Sequence, residues 1–130
     1  MIDANVIYSA LVYPNSNIAK MVKHIKEKHA LVLCKFIINE AVGIFQNKYP
    51  HLYFEFKYHI ENLPDEIHNM SGYDIDQCPA IRDKKDIPVL AAAIESKVDM
   101  FIAGDKDFDE IKVDKPRIMT PRQYYDEFMV

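Results

Sequence analysis

Glycine is scarce in this chain, three among 130 residues. That is too few for the Gly-rich phosphate loop of a P-loop or Rossmann nucleotide binder. Cysteine is rarer still: Cys34 and Cys78 have no CxxC spacing and cannot build a disulfide framework, so a reducing, cytoplasmic setting is expected. Within the apolar run Leu31-Val32-Leu33-Cys34, Cys34 reads as a small buried hydrophobe. No stretch nears the run of about 18 apolar residues that a membrane-spanning helix needs. The opening Met1-Ile2-Asp3-Ala4-Asn5 lacks the basic lead and apolar core of a secretory signal. His24, His29, His51, His59 and His68 form no HxH or HExxH pattern, which argues against zinc hydrolysis. His24 and His29 are expected on a solvated helix face beside lysines. Without repeats, low-complexity tracts or Gly/Ser linkers, residues 1–130 read as one domain able to bury a single core.

The net charge of −4 excludes a strongly basic nucleic-acid packager. It does not exclude a metal nuclease. Asp83, Asp86, Asp105, Asp107 and Asp109 are concentrated in one short stretch, where divalent cations would offset much of their charge. The bases sit apart: Lys20, Lys23, Lys26 and Lys28 in one segment, then Arg82, Lys84 and Lys85 before Asp86.

Apolar periodicity alternates between strand and helix spacing. Met1 to Ala4 begins as a short strand. Asn15-Ser16-Asn17 offers N-caps for a helix to about His29 whose apolar face is Ile18, Met21, Val22 and Ile25. Ala30 to Cys34 reads as a buried parallel strand. A helix is expected from about Ile38 to Tyr49, with Glu40 in its first turn, and another from Pro50. Pro64 to Arg82 reads as loop with a short strand near Ile75. Asp86 then caps a helix from Ile87 to about Lys97. Strands follow at Val98–Ala103 and Arg117–Met119, and Thr120-Pro121 opens the last helix. This alternation predicts an α/β fold, a parallel sheet covered by helices on both faces. In such sheets the ligand crevice lies outside the carboxyl ends of the strands.

Four acids fall near that edge. Asp3 follows the first strand, Glu40 begins the helix after the second, Asp86 opens the helix before the fourth, and Asp105 follows Val98–Ala103. Clustered carboxylates repel one another unless cations sit between them. Magnesium and manganese prefer such oxygen ligands. Two ions roughly 3.5–4 Å apart can activate water and stabilise the leaving oxygen of a phosphodiester. Each acid alone has an ordinary reading: Asp86 as a helix cap, Asp105 as a turn residue, Glu40 as a first-turn acid, Asp3 as a solvated strand end. Asp107 and Asp109 read as solvent-facing, with Asp107 within reach of a second metal. What points to chemistry is their coincidence at matching ends of the sheet.

The residues also resemble a known family. Ile2-Asp3-Ala4-Asn5-Val6 is similar to the N-terminal Asp-x-Asn signature of PIN domains, and Glu40 in Ile38-Asn39-Glu40-Ala41-Val42 matches their second acid. The segment from Arg82 to Ala93 resembles the block bearing the third, which carries over to Asp86 with Asp83 as a substitute. Phe101-Ile102-Ala103-Gly104-Asp105-Lys106-Asp107-Phe108 resembles the fourth. The resemblance implies a flap-endonuclease-like three-layer α/β/α sandwich with a central parallel sheet, and Mg2+- or Mn2+-dependent cleavage of RNA. It implies Asp3, Glu40, Asp86 and Asp105 as catalytic metal ligands, with Asn5 helping to orient the first. Many small members are dimeric toxins held by an antitoxin protein, so a homodimer and such a partner are expected. Three departures stand out. Only two residues precede Asp3, where members usually have a longer first strand. Ala4 replaces a common hydroxyl residue, and Ala103 stands where Thr or Ser often precedes Gly-Asp.

The aromatic segment Tyr49 to Tyr58 reads as packing, with Tyr49, Tyr53, Phe56 and Ile60 as one buried stripe. Leu52, Phe54, Tyr58 and the tail Tyr124-Tyr125-Phe128-Met129 are left to meet a second subunit or an antitoxin helix. Two other readings compete. A PIN-fold binding module without catalysis would lack one of the acids, and all four are here. An aspartate-phosphorylated domain would carry paired acids at its first strand, or a second Asp where Asn5 stands.

Overall fold

The computed structural model describes residues 1–68, 87–104 and 115–129. Helix α1 (Ala4–Val12) starts where extended Asp3 caps it, so the first strand shrinks from the expected four residues to a bridge at Ile2. Helix α2 (Asn17–Lys28) starts at Ser16, whose Oγ accepts the Ala19 N–H at 3.1 Å. It buries Met21, Val22 and Ile25 and ends with Lys26 and Lys28, which suit the negative end of the helix dipole. Strand β1 (Val32–Cys34) then passes into helix α3 (Lys35–Lys48) with no intervening loop. The helix therefore begins three residues earlier than its sequence suggests, and Glu40 sits in the second turn.

Pro50 opens a 3₁₀ turn (Pro50–Leu52) that leads into helix α4 (Tyr53–Asn62). Strand β2 (Glu66–His68) follows, inside the segment read as mostly loop; the strand expected near Ile75 lies outside the described residues. Helix α5 (Ile87–Glu95) ends two residues short of its expected limit, where Lys97 takes the left-handed conformation (φ 57°) and donates its N–H to the Ile94 carbonyl at 3.2 Å. Strands β3 (Met100–Ile102) and β4 (Arg117–Met119) follow, then helix α6 (Pro121–Tyr124) and a wide closing turn, Tyr125–Met129. Thr120 and Gln123 form a reciprocal capping box at the start of α6.

Every described pairing is parallel. β1 pairs with β2 from Val32↔Glu66 to Cys34↔His68, and β3 with β4 from Met100↔Arg117 to Ile102↔Met119. Ile2 adds a parallel bridge to Ile102 on the other side of β3. These short parallel pairs within a mostly helical chain give the α/β class. No helix among the described residues is long and apolar enough to cross a membrane.

The core gathers Ile2, Ile7, Leu31, Leu33, Ile37, Phe45, Leu90 and Phe101, all with no exposed surface. Phe45 is its aromatic hub. Its ring stacks on Phe56 at 4.0 Å and 20°, and lies 5.2 Å from Tyr8 and 6.2 Å from Tyr49. The expected stripe packs on the core at Tyr49, Phe56 and Ile60, whereas Tyr53 stays half-buried under Lys57 without joining it.

Two expectations are corrected at the far end of the chain. Tyr124 is fully buried, and Phe128 and Met129 pack on the core instead of offering free surface. His24 and His29 are half-buried beneath them. The Tyr124 hydroxyl lies 2.8 Å from His24 Nδ1, and the His29 ring meets Tyr124 and Phe128 edge-on at 6.2 and 5.7 Å. The lysine-rich spacing around both histidines suggested solvent, but the rings lie where the closing turn docks on α2.

Candidate functional site

Asp3 carries the one buried acidic side chain among the described residues, 8% exposed. Three backbone-anchored bonds fix it. Its N–H donates to the Ile102 carbonyl at 3.1 Å, its carbonyl accepts the Ile7 N–H at 3.2 Å, and its Oδ1 accepts the Val6 N–H at 3.0 Å. Ile102 N–H in turn donates to the Met1 carbonyl at 2.9 Å. The Ile2↔Ile102 register therefore sets Asp3 beside Ala103, at the carboxyl end of β3. Ala103 is buried and donates its N–H to the Met119 carbonyl at 3.0 Å, leading the chain to Gly104. Asn5 is exposed in the first turn of α1. Ala4 is buried, with no hydroxyl to offer.

Glu40 is exposed, in the second turn of α3 behind Cys34 at the carboxyl end of β1. Burial pushes the Cys34 thiol above its usual range, and the negative charge of Glu40 adds in the same direction. Glu40 lies six residues beyond Cys34, on the helix that leaves that strand end. The exposed side of α3 here also carries Lys35, Phe36 and Asn39. Sequence reading passed over Lys35 and Phe36 because it placed the helix start beyond them.

Asp3 thus stands beside the carboxyl end of β3, and Glu40 lies in the second turn of the helix that leaves the carboxyl end of β1. Asp83, Asp86, Asp105, Asp107 and Asp109 lie outside the described residues. Among the described residues, no three His, Cys, Asp or Glu side chains gather in a way that could hold a metal ion.

A cavity of about 310 Å³ opens at the opposite, amino edge, lined by Met1, Ala30, Val32, Glu66, Val98 and Asp99 among others. Asp99 there pairs with Lys115 at 3.2 Å, and its charge also acts on the buried Met1 ammonium. The acid-bearing edge, where ligands of parallel sheets bind, carries the stronger chemistry.

A family model for the PIN domain matches residues 1–107. The chain belongs to the PIN-domain family. The matched region contains Asp3, Asn5, Glu40, Asp86 and Asp105, so every acid singled out as a ligand falls inside the PIN domain. PIN domains are nucleases as a family, and PIN nucleases usually use divalent metal ions. The donor set fits that chemistry, because all four side chains offer hard carboxylate oxygens and no thiolate or imidazole. Neither the curated proteins nor the solved structures yield a match to the chain.

Proposed function

We propose that this PIN domain is a metal-dependent endoribonuclease that hydrolyses RNA phosphodiesters. Residues 1–130 form its single domain, folded as a three-layer α/β/α sandwich. Asp3, Glu40, Asp86 and Asp105 hold Mg2+ or Mn2+, and Asp107 reaches a second ion. The observation that carries this reading is Asp3 itself. A carboxylate 8% exposed, at a strand's carboxyl end, lies within the region shared with a nuclease family.

Bound between these oxygens, a divalent ion supplies water activation and neutralises charge on the phosphodiester. The chain's part is positional. Asp3 is held by the Ile102 carbonyl and the Val6 amide, so its carboxylate has little freedom to lose when a cation binds. Glu40 projects from a long helix anchored by buried Ile37, Ile38 and Ala41. Asn5 helps to orient the first acid.

The cellular role proposed is that of a cytoplasmic toxin, a homodimer restrained by a cognate antitoxin protein. A second reading rests on Ala4 and Ala103, both buried next to Asp3 in sequence or register. Alanine there supplies no hydroxyl to support a metal ligand, which favours a catalytically weak RNA-binding or protein-interaction module. Incubating the purified protein with structured RNA separates the two. Degradation with magnesium or manganese that stops with a chelator supports the nuclease, and intact RNA that remains bound supports the module.

A further inference from the structure

We draw no further inference here: the strongest candidate, the cavity of about 310 Å³ at the amino edge beside the starts of β1 and β3, is walled by Ile2, Ile25, Val32 and Val98 and edged by the opposed charges of Glu66, Lys97 and Asp99, which select no ligand, and nothing in the structure shows what covers it.

Discussion

Asp3 and Ile102 are joined backbone to backbone, the Asp3 N–H donating to the Ile102 carbonyl at 3.1 Å. The bond places the one buried acidic side chain among the described residues at the edge where β3 ends. The same residue caps α1, so its role in folding and its proposed role in chemistry are separable by substitution.

Asparagine caps helices about as well as aspartate, whereas alanine costs about 1 kcal/mol. Asp3→Asn should therefore melt within a few degrees of the parent, while Asp3→Ala melts lower. Both should lose the stabilisation that manganese gives the parent, since a ligand that binds only the folded state acts by mass action. RNA cleavage should fall by more than the roughly 10–100-fold typical of losing a group that merely supports a metal ligand. Thermal melts with and without manganese, beside a nuclease assay, check this. An Asp3→Asn protein with full activity and a full manganese shift would make Asp3 a cap only.

Phe45 should dominate stability. Its ring is fully buried against Phe56, Tyr8 and Tyr49. Phe45→Ala removes those contacts and leaves a void, at a cost of about 3–5 kcal/mol. Urea denaturation measures it. A loss under about 1 kcal/mol would mean that α4 closes over the gap.

Tyr124 should make the protein sensitive to alkali. Burial raises its hydroxyl above the ordinary 10.0, so at high pH the unfolded chain loses this proton before the folded one does. Stability from this group is fully present below pH 10.0 and is lost as pH climbs toward the raised folded value. Tyr124→Phe should flatten that alkaline fall. It should also cost about 0.5–1.5 kcal/mol at neutral pH, since the 2.8 Å bond to His24 goes with the hydroxyl. Denaturant melts on both sides of pH 10.0 give both readings.

Helix α4 carries the aromatic surface expected to meet a second copy. Phe54 is 81% exposed and Tyr58 66%, one helical turn apart. Replacing both with serine should shift the molecule toward monomer in light scattering while changing stability by no more than about 0.5 kcal/mol, as for other surface positions. An unchanged mass would remove this face from the proposed dimer.

Local signals made parts of the fold legible. Ser16, and Thr120 with Pro121, announce their helices because a cap is written in adjacent residues. Arg117–Met119 is found at its expected bounds. The start of α3 was hidden because Cys34 ends a strand and begins a helix without a capping side-chain bond. Strand β2 was hidden because Glu66-Ile67-His68 is mostly exposed and lacks a buried apolar run. Tyr124 and Phe128 looked like spare apolar surface because their partners, His24 and His29, lie about a hundred residues away in sequence. At the site, Asp3 was legible as an acid at a strand end. The bond to Ile102 that holds Asp3 was not, because it joins distant backbones and leaves no trace in side-chain identity.

The partnership of Ile2 with Ile102 also sets a timetable. Residues at the beginning of the chain cannot settle until β3 has been made, and β3 finds its other neighbour, β4, only later still. Helices α1 to α4 and the β1–β2 pair are complete well before that moment. During synthesis the early helices can form while Asp3 waits for its strand, since distant pairings come late in folding. Whatever chemistry Asp3 performs, a ribosome-bound fragment ending before Phe101 cannot have assembled it. The edge around Asp3 is thereby completed only once the chain has been made through Ile102.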